Sequence, residues 1–146
     1  MDKILDITEL EKKATEVRKG IIEAVYSAKS GHPGGSLSIA DVMTVLYFNE
    51  MNVDENNPKW EERDRLVLSK GHCSPVLYSC LAERGFFEKE LLKTFRNINS
   101  NLQGHPDLNK VKGVDMTSGS LGQGLSVANG MAIAGKLDNK NYRVYA

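Results

Sequence analysis

The sequence predicts an α/β fold, an incomplete and helix-rich part of a domain built on a parallel sheet. Two short apolar runs, at residues 66–69 and 142–146, are typical of buried strands. The segments before and between them carry apolar residues at helical spacing. Because strands alternate with helices, a parallel sheet covered by helices is favoured. Two strands do not cover this many helices, so we expect residues 1–146 to be part of a larger sheet domain.

The first helix is predicted to begin at Thr8. Thr8 and Glu11 form a capping box, in which each side chain accepts a hydrogen bond from the backbone N–H of the other. Apolar residues then form one stripe along residues 10–28, and charged residues occupy the opposite face. The segment 30–35, Ser-Gly-His-Pro-Gly-Gly, breaks the helix and is expected to be a loop.

A second helix is predicted over residues 38–49, with Ser38 as its cap. Apolar side chains cover most of its circumference, so we expect it to be buried on several sides. Residues 51–62 are polar and are expected to connect this helix to the strand at 66–69.

The third helix is predicted to start at Ser74, because Pro75 suits the first position of a helix. Gly85 is expected to end it. Residues 88–95 are predicted to form a short fourth helix. Residues 97–115, which are rich in Asn and Gly, are expected to be mostly loop.

The last predicted helix, over residues 121–136, has an unusual composition. Each glycine inside a helix costs up to about 1 kcal/mol relative to alanine. We therefore expect another backbone, or a cofactor, to lie close against this helix. Its small residues are Gly122, Gly124, Ser126, Ala128, Gly130, Ala132, Ala134 and Gly135.

The composition disfavours several classes of protein. A chain of 146 residues, 40% of them hydrophobic, suits one domain with a core. Nineteen basic and nineteen acidic residues give a formal net charge of zero, which disfavours nucleic acid as the main partner. The chain has no apolar stretch of about 18 residues, so we expect no membrane span. The first residues also lack the apolar segment of a signal peptide.

The two cysteines favour an intracellular, cytoplasmic protein. Cys73 and Cys80 lie seven residues apart in a predicted helix, which suits neither a local disulfide nor a zinc knuckle. We expect two reduced thiols that act as small buried hydrophobic side chains.

All three histidines directly follow a glycine, and two of them precede a proline. Glycine allows a sharp turn or a close approach of the backbone, and proline fixes the direction in which the chain leaves. This arrangement is typical of side chains held on loops around a site. The pairs are Gly31-His32, Gly71-His72 and Gly104-His105.

The residues alone leave several interpretations of these motifs open. His72 follows a predicted strand, at the edge of a parallel sheet where ligands bind, but it also suits a helix cap. His32 and His105 suit ordinary turns equally well. Three histidines can bind zinc, although their spacing carries no metal signature. The Gly/Ser segment 117–124 leads into a helix N-terminus, which favours an anion such as phosphate, or is only a turn.

Taken together, four segments resemble the N-terminal region of transketolase. The similarity extends from about Arg18 to Ala146. Ser120 stands where many full-length transketolases have proline, which is similar to the type that is split into two polypeptides. The four segments are 30–38, 68–72, 102–106 and 117–124.

The resemblance implies a site for thiamine diphosphate and a two-carbon ketol transfer from a ketose phosphate to an aldose phosphate. His72 would contact the cofactor diphosphate. His32 and His105 would face the substrate and assist proton transfer, for which an imidazole has a suitable pKa. Three consecutive residues would line the cofactor, largely through backbone groups: Gly119, Ser120 and Leu121.

The resemblance also implies that much of the active site lies outside these residues. The family's Mg²⁺ ligands belong to a G-D-G…N motif expected beyond Ala146, so no metal ligand is assigned here. The carboxylate that activates the cofactor belongs to the other half of transketolase. We therefore expect a C-terminal transketolase subunit or section as partner, a homodimer or heterotetramer, and sugar phosphates as substrates. The chain alone is expected to be inactive.

Two alternatives remain at this point. The first is a non-catalytic binding or regulatory module that pairs with another subunit. The second is a related thiamine diphosphate enzyme, such as 1-deoxyxylulose-5-phosphate synthase or phosphoketolase. These relatives differ from transketolase around the histidine loops.

Overall fold

A two-stranded parallel sheet and a set of helices form the architecture of the chain, as the sequence predicts. The computed structural model describes residues 3–146. Among them, no helix is both long and apolar enough to span a membrane. The elements are α1 (Ile7–Ala28), α2 (Pro33–Leu37), α3 (Ala40–Val45), β1 (Arg65–Leu66), α4 (Ser74–Arg84), α5 (Gln123–Leu137) and β2 (Val144–Tyr145). A π-helical turn, Leu46–Glu50, continues α3, and 3₁₀ turns occupy Gly71–Cys73 and Lys89–Thr94.

The sheet confirms the two predicted strands and their parallel pairing. Arg65 lies opposite Val144, and Leu66 lies opposite Tyr145. β1 is shorter than the predicted run of residues 66–69, although the remaining apolar side chains of that run are buried.

Buried charged residues attach the sheet to its surroundings. Asp64 accepts a hydrogen bond of 2.6 Å from the backbone N–H of Arg143, just before β2. Asp115 accepts one of 2.8 Å from the N–H of Leu66 in β1, and it pairs with the buried guanidinium of Arg63. Burial raises the pKa of Asp115, although the charge of Arg63 opposes this effect. These bonds fix the end of β1 from which the chain enters the histidine region.

α1 begins earlier than predicted. Asp6, not Thr8, is the N-cap, and its carboxylate accepts a hydrogen bond of 2.9 Å from the N–H of Glu9. A carboxylate is a strong acceptor at the positive end of a helix, which explains why Asp6 prevails over the hydroxyl of Thr8. The helix ends before Lys29, which has a left-handed backbone with φ of +49°.

The segments predicted as a loop over 30–35 and a helix over 38–49 are both corrected. Pro33 takes the first position of the short helix α2, so part of the predicted loop is helical. Ser38 does not cap the next helix. Its hydroxyl donates instead to the carbonyl of Gly35 at 3.0 Å, in the bend between α2 and α3.

Burial of the second predicted helix is one-sided. Met43 and Phe48 belong to the core, whereas Val42 is 60% exposed and Val45 is 40% exposed. The expectation of burial on several sides is therefore wrong for α3. A π-helical turn follows, in which the N–H of Met51 donates to the carbonyl of Leu46 at 2.8 Å.

α4 is the centre of the core, since each of its residues is buried. The helix starts at Ser74, with Cys73 rather than Ser74 in the cap position, and ends at Gly85 as predicted. It packs closely on α1: the hydroxyl of Ser79 donates to the carbonyl of Val17 at 2.8 Å. Cys73 and Cys80 are buried free thiols, as expected. The predicted fourth helix is a 3₁₀ helix, Lys89–Thr94.

α5 confirms the predicted close backbone approach at one of its glycines. A Cβ on Gly124 would lie 2.8 Å from the Cα of Ser69, whereas a Cβ on Gly130 would meet nothing within 4 Å. Within α5, only Gly124, Ala128 and Gly135 are buried.

Candidate functional site

The three histidines lie around the start of α4. His72 belongs to the 3₁₀ turn that links β1 to α4, and His32 directly precedes α2. The loop that carries His105 is tied to α4 by two side chains. The hydroxyl of Ser74 donates to the carbonyl of Gly104 at 3.0 Å, and the hydroxyl of Tyr78 donates to the carbonyl of His105 at 3.3 Å. The buried helix thus positions two of the three histidine segments directly.

Close packing or backbone geometry explains the glycine before each histidine. Gly31 has φ of +145°, a conformation that other residues rarely adopt. A Cβ on Gly71 would lie 2.8 Å from the carbonyl oxygen of Ser118, and a Cβ on Gly104 would lie 2.8 Å from Nη2 of Arg96. The Gly-His pairs are therefore places where the histidine segments fit tightly against their supports.

His32 and His72 are in contact. Their ring centroids are 4.9 Å apart and the ring planes meet at 76°. Burial lowers the pKa of His72, and the charges of His32, His105 and Lys70 lower it further. At neutral pH His72 is therefore held in the neutral form, in which one ring nitrogen accepts a hydrogen bond and the other donates one.

His105 lies on the other side of this group, next to the Gly/Ser segment. A Cβ on Gly119 would lie 3.8 Å from Cδ2 of His105. The N–H of Ser118 donates to the carbonyl of Pro106 at 3.4 Å. The structure thus places Gly119 beside His105.

Lys70 adds a positive charge to the site. Its Nζ donates to the carbonyl of Gly35 at 2.7 Å and lies 3.3 Å from the hydroxyl oxygen of Ser38. Among the ion pairs of residues 3–146, none involves Lys70. An ammonium group without a carboxylate partner, next to an imidazole, favours an anionic ligand.

The Gly/Ser segment has the features of an anion site at a helix N-terminus. Gly122, with φ of +86°, occupies the N-cap of α5 and offers no side chain to the first N–H groups. The hydroxyl of Ser118 is buried and has no hydrogen-bond partner within the described part of the chain. Ser120 and Leu121 are exposed, with Leu121 at 67%.

An apolar cavity of about 580 Å³ borders Lys70 and Leu121. Its other walls come mainly from α3 and from the ends of the two strands, including Met43, Leu68 and Tyr145. The cavity therefore combines apolar walls with a cationic edge. A larger cleft of about 730 Å³, lined by Phe86, Leu91 and Lys112 among others, contains none of the histidines.

Metal ligands are not grouped in the part of the chain that the structure describes. Within residues 3–146, no three side chains of His, Cys, Asp or Glu are arranged so that they could hold a metal ion. The three histidines, although close together, do not form a zinc site.

The family of the chain follows from a comparison with family models. Residues 10–144 match the model described as "Transketolase, thiamine diphosphate binding domain". The chain belongs to this transketolase family.

Individual relatives agree with this assignment. The chain is 47% identical over 137 residues to SqwG, a subunit of the 6-deoxy-6-sulfo-D-fructose transketolase of Clostridium sp., and the match covers 94% of this chain and 50% of SqwG. It is 44% identical over 141 residues to one subunit of the apulose-4-phosphate transketolase of Phocaeicola vulgatus. This match covers 97% of this chain and 50% of that subunit. The chain thus spans about half the length of these relatives.

A solved structure of the family has the same fold. The transketolase of Campylobacter jejuni superposes with a TM-score of 0.90 at 37% identity, covering 97% of this chain and 23% of that one. These named relatives are transketolases, so neither of the two alternatives left open by the sequence is favoured.

The structure brings several of the predicted site residues close together and adds three supporting residues: Lys70, Ser118 and Arg96. The histidines and Gly119 are brought together, whereas Ser120 and Leu121 lie on the exposed approach to α5. Lys70 could have been found, because it lies within the segment 68–72 that carries His72. Ser118 lies within the predicted segment 117–124, but only the folded chain shows that its hydroxyl is buried without a described hydrogen-bond partner. Arg96 gave no sequence signal, because its role depends on loop packing.

Proposed function

We propose that the chain is the amino-terminal part of a transketolase that moves a two-carbon ketol unit from a ketose phosphate to an aldose phosphate. The convergence of the three Gly-His histidines carries this proposal, because it brings His72 and His32 into contact beside a cationic, anion-binding region. Family membership over residues 10–144 supports it. In this proposal residues 1–146 are a partial thiamine diphosphate-binding domain of a cytoplasmic enzyme.

The residues present fit the diphosphate end of the cofactor. A diphosphate requires donors and positive charge, and Lys70, His72 and the unpartnered hydroxyl of Ser118 offer them. The exposed backbone at Gly119, Ser120 and Leu121 would line the remainder of the cofactor. When bound, thiamine diphosphate supplies the electron sink that carbon–carbon bond cleavage next to a carbonyl requires.

The substrate histidines in this proposal are His32 and His105. As imidazoles they can donate hydrogen bonds to the oxygens of a ketose donor and move a proton near neutral pH. His32 lies against His72, and His105 lies beside Gly119, so both flank the proposed cofactor position.

A partner subunit contributes to this proposed site. Two relatives of which the chain covers half are called transketolase subunits, and α5 exposes Leu125, Ile133 and Leu137. We propose that a C-terminal transketolase subunit covers this face and that the assembly is a homodimer or heterotetramer. The Mg²⁺ that holds the diphosphate would take its ligands from outside residues 3–146, because no ligand cluster is formed within these residues.

Reconstitution tests the proposal. The amino-terminal subunit that contains residues 1–146, at the full length of the relatives that the chain half covers, is combined with the C-terminal transketolase subunit, thiamine diphosphate and Mg²⁺. Ketol transfer is followed with an aldose phosphate acceptor. Because two relatives are named for different substrates, the donors include 6-deoxy-6-sulfo-D-fructose and apulose 4-phosphate. Fructose 6-phosphate is added as a further ketose phosphate. We expect transfer from at least one donor and a loss of about 100-fold or more in His32→Ala and His105→Ala.

The chain without its partner is the matching control. We expect it to transfer no ketol unit and to bind thiamine diphosphate with Mg²⁺ weakly or not at all in a calorimetric titration. Micromolar affinity in the chain alone would refute the partial-site proposal. A reconstituted enzyme that is inactive on every donor would count against the ketol-transfer proposal.

A further inference from the structure

Arg96 lies between the two loops that carry the proposed substrate histidines. Its Nη1 donates to the hydroxyl of Ser30 at 2.7 Å, two residues before His32. Its backbone N–H donates to the carbonyl of Leu102 at 2.8 Å, three residues before His105. The Arg96 side chain also lies directly on Gly104, where a Cβ would be 2.8 Å from Nη2 and 2.9 Å from Nε. One residue thus contacts both histidine loops, and we call these contacts the Arg96 bridge.

Phe95, which directly precedes Arg96, supports the His32 loop. Phe95 is fully buried, and the centre of its ring lies 5.6 Å from Cζ of Arg96. A Cβ on Gly31 would lie 3.3 Å from Cε1 of Phe95. The first Gly-His pair therefore rests on Phe95 and the third rests on Arg96, so that neighbouring residues set the separation of His32 and His105.

Arg96 carries a charge without an ion-pair partner among the described residues and has a left-handed backbone. Within residues 3–146 no carboxylate is ion-paired with Arg96, and its buried Nε has no hydrogen-bond partner. Its φ of +61° lies in the left-handed region, which costs free energy for any residue with a Cβ and costs least for Asn and Gly. Such positions persist where the surrounding structure holds the residue in place, as the contacts with Ser30, Leu102 and Gly104 do here.

We infer that Arg96 is a positioning residue that holds His32 and His105 at a fixed separation for ketol transfer. The inference rests on the proposed function for the role of the two histidines, but the bridge itself rests on the contacts of Arg96. The guanidinium donates a hydrogen bond to Ser30 and packs on Gly104. Ser30 lies on the His32 loop and Gly104 lies on the His105 loop.

Arg96→Asn separates this role from a structural one. Asparagine tolerates the left-handed backbone better than arginine, so the melting temperature should be unchanged or higher. In the assembled enzyme we expect kcat/KM for the ketose donor to fall about tenfold, because misplaced reacting groups lose rate. The apparent affinity for thiamine diphosphate should stay within about twofold, since no contact of Arg96 involves His72. Arg96→Lys, which keeps the charge and one donor, should restore part of the loss.

Arg65→Lys is the matched control for Arg96→Lys. Arg65 also lies over an aromatic ring, with Cζ 4.6 Å from the centre of Tyr142, and it donates to the carbonyl of Glu61 at 2.8 Å. None of these contacts of Arg65 is with a histidine loop. We therefore expect kcat/KM of the Arg65→Lys enzyme to stay within about twofold of the wild type. An equal loss in both variants would overturn the inference.

Gly104→Ala tests the bridge from the opposite side. The new Cβ would displace the guanidinium of Arg96, so the single substitution should lower kcat/KM as Arg96→Asn does. Combined with Arg96→Asn, it should add nothing further, because the two residues act through one contact. Fully additive losses would overturn the inference.

A titration of the histidine side chains by NMR does not require catalysis. In the cofactor-free chain, His32 and His105 lower the pKa of His72, so Arg96→Asn should raise it as the loops move apart. An unchanged pKa would overturn the bridge. If the wild-type assembly transfers no ketol unit, the proposed function fails, whereas this titration still decides whether Arg96 sets the histidine separation.

Discussion

α4 and α5 are similar in composition but differ in how the chain covers them. Both helices carry apolar or small side chains on all sides. Every residue of α4 is buried by the surrounding elements, whereas α5 buries only Gly124, Ala128 and Gly135. Leu125, Ile133 and Leu137 of α5 are between 58% and 77% exposed.

This difference shows that an apolar helix does not reveal which polypeptide covers it. α4 is held within residues 3–146 by α1, by the 3₁₀ helix at 89–94 and by the His105 loop that its Ser74 and Tyr78 bind. α5 touches β2 and, at Gly124, the segment after β1. The proposed partner subunit would give α5 the cover that α4 already has.

The largest expected contrast compares one leucine from each helix. Leu81→Ala removes a fully buried side chain of α4, which should lower the free energy of unfolding by about 3 kcal/mol. Leu125→Ala removes a side chain that is 58% exposed and should change it by less than about 0.5 kcal/mol. Urea unfolding of the purified chain, followed by circular dichroism, measures both values.

Addition of the partner subunit sharpens the same contrast. Leu125→Ala should then weaken association, while Leu81→Ala should act on unfolding of the chain itself. Comparable losses of stability for both variants in the unpartnered chain would show that α5 is covered there as well, against the structure.

A smaller contrast lies within α5. Gly124→Ala should destabilise the chain by about 1–3 kcal/mol, because its Cβ would meet the backbone of Ser69 at 2.8 Å. Gly130→Ala places its Cβ in open space and should stabilise the helix by up to about 1 kcal/mol. Thermal unfolding of the two variants measures the opposite signs. If Gly124→Ala also stabilises the chain, α5 does not approach the strand segment as described.

The sequence predicted the features that follow from a residue pattern. It missed helix starts where neighbouring residues compete for the cap position. Parallel strands, the end of α4 at Gly85 and the grouping of the histidines followed from periodicity, glycine and motif order. The cap of α1 did not, because Asp6 and Thr8 are both good caps and only the folded chain selects one. The bend at Ser38 was missed because Pro33 starts its own short helix.

Candidate site residues divide in the same way. His72 and Lys70 are neighbours in a motif, so their proximity is local. Arg96 is 66 residues from Ser30, although it shortly precedes the loop of His105, and its left-handed backbone has no sequence signature in an arginine. Ser118 belongs to the predicted segment 117–124, but the close packing of Gly71 against its carbonyl is seen only in the folded chain.

The smallest expected effect concerns His72, which lies at the start of α4. After burial, the groups that lower its pKa are His32, His105 and Lys70, which lie on segments around α4, and none belongs to α5. His32→Gln should therefore raise the pKa of His72 toward the ordinary value of about 6.5. Lys136→Gln, which removes a charge from α5, should leave it unchanged. NMR titration of the cofactor-free chain resolves both shifts.

The same titration predicts how stability depends on pH. With its pKa lowered in the folded state, His72 binds fewer protons there than in the unfolded chain. Its contribution to stability is therefore fully present above about pH 6.5 and is lost as the pH falls through the lowered pKa. In His32→Gln the pKa values of His72 in the folded and unfolded chain should lie closer together. The loss of stability on acidification should therefore be smaller in total and be complete at a higher pH. Lys136→Gln should change the acid-unfolding profile less than His32→Gln does. Equal changes would show that charges on α5 also affect the pKa of His72, in addition to the groups around α4.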